Sequence, residues 1–252
     1  MGAERERRYE GRRAVVVGGT HGIGLAIAQE LLRDGAEVVV TGRDAGKVAA
    51  AADALGPVAT VLVSDVTDAA DRAALTEAAG EIDALFVNAG SAQDAPLAEV
   101  TEASWDRQFG VNTKGAFFTT QALAPRIRRG GGIVFTTLAD MPAFAGGAVP
   151  AASKAAVRAF ARSLAAELVT DGIRVNTVAP GFIDTPSFGV ASVTDGERAV
   201  LRAAGTALTP MGRLGTPDEV ARAAIFLALD ATFVTGTELQ VDGGISSIAV
   251  PG

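Results

Sequence analysis

Short apolar runs recur along the chain at 15–17, 38–40, 58–63, 82–87, 133–137, 173–178 and 238–241. Most are apolar throughout instead of alternating with polar residues, the pattern of strands buried on both faces. Between them, apolar positions fall at helical spacing. Ile23, Ile27 and Leu31 share one face of a helix that stops at Asp34-Gly35, and an alanine-rich helix runs to Leu55 before Gly56-Pro57 breaks it. Further helices are predicted over 68–79, 102–129, 151–168 and 217–229, with Gly130-Gly131-Gly132 closing the second of these. The segment 180–210 is irregular, with a short helix near 197–203. Strands alternating with helices predict an α/β fold: a doubly wound parallel sheet with helices on both faces and ligands at the carboxyl ends of the strands. No linker, repeat or low-complexity block divides the chain, so one domain over 1–252 is expected.

Between the first strand and the first helix the chain reads Gly18-Gly19-Thr20-His21-Gly22-Ile23-Gly24. This layout sets a pyrophosphate on a helix N-terminus, where free N–H groups and the helix dipole favour negative charge. The spacing is Gly-x-x-x-Gly-x-Gly, which differs from the Gly-x-Gly-x-x-Gly dinucleotide fingerprint. A glycine loop alone also serves ordinary turns; the flanking strand and helix favour the cofactor reading.

Composition narrows the function. The formal net charge of −7 argues against nucleic acid or an anionic membrane as partner. Arg5, Arg7, Arg8, Arg12 and Arg13 are interleaved with glutamates and read as a solvated, flexible tail over 1–11. The absence of cysteine excludes disulfides and thiol catalysis and fits a cytoplasmic protein. The N-terminus lacks the apolar core of a signal peptide, and no apolar stretch is long enough to span a bilayer. His21 is the sole histidine, which excludes a multi-histidine metal site and leaves a Ser–His hydrolase hard to build. It reads as an exposed loop side chain near the cofactor.

An ordered series of motifs resembles the short-chain dehydrogenase/reductase family over almost the whole chain. It comprises the loop from Gly18 to Gly24, Asp65-Val66, Asn88-Ala89-Gly90, Val111-Asn112, Ser153-Lys154, Arg174-Val175-Asn176, Pro180-Gly181 with Thr185, Val234-Thr235-Gly236 and Val241-Asp242-Gly243-Gly244. The resemblance implies a Rossmann-like fold binding a nicotinamide cofactor through Gly18, Thr20, His21, Gly22, Ile23 and Gly24. Asp65 would accept from the adenine amino group, with Val66 offering backbone contact; the alternative is a helix N-terminal acid. Asn88, Ala89 and Gly90 would line the adenosine ribose. Lys154 would hold the nicotinamide ribose, and Pro180, Gly181, Ile183 and Thr185 the nicotinamide end. It further implies a small-molecule substrate, a substrate-covering loop over 182–210 with an apolar pocket from Met141, Phe144, Phe182 and Phe188, and a homodimer or homotetramer. Phe117-Phe118, Phe160 and the tail 245–250 could supply symmetric contacts or be ordinary core.

The end of the second strand bears on cofactor choice. Thr41-Gly42-Arg43-Asp44 has glycine where NAD-binding enzymes of this kind place a carboxylate for the ribose 2′-hydroxyl. A guanidinium next to it can grip a 2′-phosphate with paired hydrogen bonds. NADP(H) is preferred, with NAD(H) the alternative should Asp44 turn inward instead of capping the following helix.

The resemblance breaks at one position. The family's carbonyl chemistry uses asparagine, serine, tyrosine and lysine, the tyrosine four residues before the lysine. Asn112 and Lys154 match and Thr137 falls at the serine position, but Pro150 falls at the tyrosine position. Tyr9, the sole tyrosine, precedes the first strand and should lie at the far end of the sheet. Asp140, Ser153 or water are candidate proton carriers, Asp140 first; its alternative is an exposed loop aspartate. The expected function is an NADP(H)-dependent oxidoreductase with an altered site, moving hydride to or from a small apolar or partly aromatic substrate such as an iminium or conjugated alkene. The alternatives are a non-redox isomerase or cyclase, and a non-catalytic cofactor-binding or scaffold subunit.

Overall fold

The computed structural model describes residues 7–141, 143–186 and 194–248. Seven parallel strands form one sheet in the order β3-β2-β1-β4-β5-β6-β7. They are β1 (Arg13–Val17), β2 (Glu37–Gly42), β3 (Ala59–Val63), β4 (Ile82–Val87), β5 (Ile127–Thr136), β6 (Arg174–Pro180) and β7 (Glu238–Val241). The helices are α1 (Gly22–Arg33), α2 (Ala45–Leu55), α3 (Ala69–Ala79), α4 (Glu102–Phe109), α5 (Ala116–Leu123), α6 (Ala148–Leu168), α7 (Asp195–Leu208) and α8 (Pro217–Ile225). Successive side chains of a strand point to opposite faces, so each strand feeds two cores. Val16, Val38, Val40, Phe86 and Val134 pack under Ile27, Leu31, Val220 and Ala224 of α1 and α8. Val15, Val17, Val39, Leu85, Ile133 and Phe135 pack under Leu75, Leu123, Val157 and Ala161 of α3, α5 and α6. The chain reverses its strand order between β1 and β4, and the crevice of such a sheet lies at the carboxyl ends of those strands.

Four boundaries differ from the sequence expectation. The helix expected over 102–129 is broken: residues 110–115 form a wide π-type turn between α4 and α5, and the helix ends at Leu123, before Pro125. The triple glycine is part of β5, not a loop. A Cβ on Gly131 would come 2.7 Å from the Asp83 carbonyl, and one on Gly132 2.5 Å from the Ala228 carbonyl, so these glycines mark close backbone approach within a strand. Helix α6 begins three residues earlier than expected and takes Pro150 into its first turn, where a missing N–H costs no helical bond. Helix α7 extends well beyond 197–203 on a capping box between Thr194 and Glu197.

The basic N-terminal segment is anchored from residue 7 onward, contrary to the solvated tail expected over 1–11; residues 1–6 lie outside the described part. Tyr9 is buried, its N–H donates to the Asp34 carbonyl at 2.8 Å, and its hydroxyl donates to Asp230 at 2.9 Å. Asp83 of β4 accepts from the Arg12 guanidinium at 2.8 Å, the Arg13 N–H at 2.9 Å and the Arg128 guanidinium at 3.1 Å. Burial pushes the Asp83 pKa up, but these donors outweigh it and hold the carboxyl below its ordinary value. Among the described residues, no helix is long and apolar enough to cross a membrane.

Candidate functional site

The glycine loop joins β1 to α1 at the crevice. Gly18 has φ +75°, and a Cβ there would sit 2.6 Å from the Ala89 backbone; a Cβ on Gly24 would collide with the Gly18 carbonyl. The Asn88 amide donates to that same carbonyl at 2.9 Å, fastening the loop to the end of β4. His21 is the N-cap of α1, and its side chain makes no capping hydrogen bond. The first-turn N–H groups of Gly22, Ile23 and Gly24 therefore face outward without a side-chain acceptor, a site suited to a phosphate. His21 is half-buried, a departure from the exposed side chain expected. Its Nδ1 lies 3.3 Å from the Thr20 hydroxyl, and burial, with Lys47 nearby, lowers its pKa.

The end of β2 accounts for the glycine at 42. A Cβ there would meet the Thr20 side-chain methyl at 2.5 Å, so no carboxylate fits at that position without moving the loop. Arg43 is exposed and forms no ion pair among the described residues. Asp44 caps α2, its carboxylate accepting from the Lys47 N–H at 2.8 Å. Arg43 and Asp65 line one open groove of about 700 Å³, with Lys114, Phe117 and Phe118 on its far side. Asp65 accepts from the Thr67 N–H and hydroxyl at 2.9 and 2.7 Å, while the cap of α3 is Asp68. Its carboxylate shapes the loop after β3 and is not the helix cap. Val66 is buried, and its carbonyl accepts from Arg72 at 2.7 Å.

At the centre of the crevice the structure brings Gly90, Asn112 and Lys154 together. A Cβ placed on Gly90 would lie 3.0 Å from Lys154 Nζ and 3.3 Å from Asn112 Oδ1. Asn112 sits in the wide turn; its Oδ1 accepts from the Ser91 N–H at 2.8 Å, and its Nδ2 donates to the Ser91 carbonyl and the Ser153 hydroxyl. Ser153 is fully buried and donates to the Pro150 carbonyl at 2.8 Å. Lys154 Nζ donates to the Thr136 carbonyl at 2.8 Å, and burial of the ammonium pulls its pKa down to about 8.

Thr137 and Asp140, both expected to act at the crevice, belong to a different cluster. Thr137 is buried, and its hydroxyl donates to Glu238 of β7 at 2.8 Å. Glu238 also accepts from the Thr177 hydroxyl at 3.1 Å and from Arg158 at 2.8 Å. Arg158 reaches Asp140 at 2.7 Å and the Leu138 carbonyl at 2.9 Å. Asp140 is thus an exposed partner of an arginine, the blander of its two readings. Neither Arg158 nor Glu238 stands out in the sequence. Arg158 lies four residues after Lys154, on the same face of α6, and an acid in the last apolar strand is the other usable signal.

The loop after β6 closes over α1. Gly181 donates its N–H to the Val241 carbonyl at 3.1 Å, and Ile183 is buried and bridged to Gly215. The buried Thr185 reaches Gly22, its methyl 3.3 Å from where a Cβ would stand. This contact brings Thr185 to the glycine loop, while Gly181 lies against Asp242 and Ile183 against Gly215. Of the expected pocket residues, Phe182 packs against Gly205 of α7 and Phe144 is exposed, while Phe188 lies outside the described residues. Phe117 and Phe135 each meet Phe160 edge to face; the half-buried Phe117 and Phe160 also line the Arg43 groove, and Phe118 keeps an exposed edge.

Known proteins share the sequence pattern and the fold. Residues 17–246 match the family model described as enoyl-(acyl carrier protein) reductase. The chain is 37% identical over 250 residues to the oxidoreductase asL5 of Sarocladium schorii, covering 96% of this chain and 98% of that one. It is 37% identical over 256 residues to the NADP-dependent (R)-specific alcohol dehydrogenase of Lentilactobacillus kefiri, covering 95% and 98%. A solved short-chain dehydrogenase/reductase family structure superposes with a TM-score of 0.85 at 38% identity, over 96% of this chain and all of that one. A parallel doubly wound sheet with a glycine loop at its switch point defines a Rossmann-like α/β fold. Within that class, the chain belongs to the short-chain dehydrogenase/reductase family.

Proposed function

We propose that this protein is an NADP(H)-dependent oxidoreductase with an altered active site, exchanging hydride with a small apolar or partly aromatic molecule. The observation that carries the reading is the meeting of Gly90, Asn112 and Lys154 beside an uncapped α1 N-terminus. The bound nicotinamide would supply the hydride; the protein supplies the grip and the polar surroundings. The N–H groups of Gly22, Ile23 and Gly24 suit the pyrophosphate, and Asn88, Ala89 and Gly90 the adenosine ribose. Lys154 suits the nicotinamide ribose, and Pro180, Gly181, Ile183 and Thr185 the nicotinamide. Arg43 is free to hold a 2′-phosphate, and the volume filled by Thr20 explains why no acid competes for that place. The NADP-dependence of the Lentilactobacillus relative supports the same preference.

Pro150 stands where this family's chemistry has tyrosine, so the substrate is one whose reduction proceeds without a phenol. Iminium ions and conjugated alkenes meet that condition. Assembly into two or four copies is part of the proposal, with the exposed edge of Phe118 as one contact.

The test pairs binding with turnover. NADPH should raise Tm more than NADH, because a ligand that binds only the native state stabilises it, and NADPH should be oxidised in the presence of cyclohex-2-enone or 2-methyl-1-pyrroline. Equal, absent or reversed stabilisation by the two cofactors refutes the 2′-phosphate reading; stabilisation without turnover of either compound counts against the redox reading.

A further inference from the structure

The side chains that could hand a proton to a substrate in the crevice differ in how their hydrogens are used. The Thr137 hydroxyl donates to Glu238 at 2.8 Å, and the Ser153 hydroxyl to the Pro150 carbonyl at 2.8 Å. Both Nδ2 hydrogens of Asn112 are taken, by the Ser91 carbonyl at 2.8 Å and the Ser153 oxygen at 2.9 Å. Asp140 is paired with Arg158, and the Tyr9 hydroxyl is bound to Asp230 at the other end of the sheet. Lys154 is different: an ammonium has three N–H donors, and one of them is used, on the Thr136 carbonyl at 2.8 Å. The Lys154 nitrogen lies beside Gly90, 3.0 Å from where a Cβ on that glycine would stand, so only a residue without a side chain fits there.

We propose that Lys154 itself exchanges the proton with the substrate, and that the substrate is therefore a neutral molecule that develops negative charge on oxygen, a ketone or conjugated enone, instead of a preformed iminium. The inference rests on the oxidoreductase reading above. In the reducing direction hydride from the reduced nicotinamide adds, with its electron pair, to the carbonyl carbon or to the β-carbon of the enone. The displaced π pair moves to oxygen, which takes a proton from the Lys154 ammonium and leaves the neutral amine; solvent then reprotonates it. The enol formed from an enone tautomerises to the saturated ketone. A cation at this place attracts such an oxygen and repels an iminium.

The surroundings permit the lysine to work near neutral pH. The groups placed around it are uncharged: the Thr136 carbonyl at the end of β5, Gly90 after β4, Asn112 from the wide turn and Ser153 next to it on α6. The nearest charges on α6 and β7, Arg158 and Glu238, pair with each other, and Lys114 lies in the Arg43 groove. Burial alone brings the Lys154 pKa to about 8, the range in which an acid–base group is efficient.

Lys47, Lys114 and Lys154 are the only lysines in the chain, so side-chain nitrogen signals of [15N]lysine-labelled protein can be assigned by substitution. In the cofactor-free protein one signal, missing from Lys154→Met, should titrate between about pH 7 and 9. A Lys154 signal that titrates at 10 or above overturns the proposal, whatever the activity. In turnover with NADPH, acetophenone or cyclohex-2-enone should be reduced in preference to 2-methyl-1-pyrroline, with kcat falling as pH rises through 8. Lys154→Arg keeps the charge but cannot release its proton; at saturating NADPH it should lose about 10²–10⁴-fold in kcat. Reduction of the pyrroline alone, of none of the three, or at full rate by Lys154→Arg overturns the proposal. Failure of NADPH and NADH to stabilise the protein would instead overturn the cofactor reading, and the lysine titration remains a separate measurement.

Discussion

At the amino-terminal ends of the strands, Asp83 takes donors from three arginines, Arg174 gives its guanidinium to the carbonyls of Leu227, Ala228 and Ala231, and Tyr9 is fixed to Asp230. At the carboxyl ends, α1 begins without a side-chain cap, Arg43 has no ion pair among the described residues, and Lys154 uses one donor of three. Buried polar groups without partners are costly, so a fold completes the end that only has to be stable. Where donors stay open around a cleft, the partner they await comes from outside the chain. The Thr137–Glu238–Arg158–Asp140 cluster qualifies the contrast: it lies near the crevice yet is closed upon itself, and by this measure it supports the loop after β5.

Substitutions at the two ends should separate stability from binding. The largest effect is expected for Arg174→Ala, which takes the guanidinium away from the Leu227 and Ala228 carbonyls at about 1–3 kcal/mol each, while the Ala231 carbonyl keeps the Val234 N–H. A loss of about 3 kcal/mol or more would lower Tm by roughly 6–12 °C in a chain of this size. A drop of less than about 1 kcal/mol in denaturant melts would break the contrast. Next comes Arg43→Ala, expected to weaken NADPH roughly 10- to 100-fold by loss of charge-assisted hydrogen bonds, with NADH affinity and Tm unchanged. Equal weakening of both cofactors in calorimetric titrations would remove the 2′-phosphate role. Asp83→Asn should cost about 1–2 kcal/mol without altering NADPH affinity. Because the fold lowers the Asp83 pKa, its contribution is complete above the unfolded value near 4 and is lost as pH falls through the folded one. The stability gap between wild type and this variant should therefore close in acid, and a gap constant from pH 7 to 3 would assign the effect to packing.

Much of the architecture was legible because it rests on local pattern. Short, largely apolar runs marked β4 to the residue, the Leu239 and Val241 pattern marked β7, and Asp34-Gly35 and Gly56 marked the ends of α1 and α2. Gly130-Gly131-Gly132 misled because a glycine that admits a neighbour's carbonyl into a sheet is indistinguishable, in sequence, from one that ends a helix. The tight glycine loop was legible in Gly18, Gly24 and Asn88, which act within one βα unit and its parallel neighbour. Thr137 was not: its hydroxyl direction depends on a glutamate 101 residues away, reached only once β5, β6 and β7 are aligned. For Asp140 the exposed reading stood beside the proton-carrier one, and its partner Arg158, 18 residues on in α6, could not be read from local pattern.

The wide turn at 110–115 carries one more consequence. A turn of α-helix advances each residue by about 100°, and a π turn holds an additional residue within the same stack. The segment from Glu102 to Leu123 is thus two helices in different phase, spliced in line. The first half aims Gln108 at the loop around Gln93, the splice aims Asn112 at Ser91, and the second half sinks Leu123 into the core. Removing one residue from the splice would leave a regular helix and put those halves out of step by about 100°. The core would then keep its leucine only by turning the asparagine away from Ser91, so the phase offset, more than any one side chain in it, is what lets a single crossover serve both the core and the crevice.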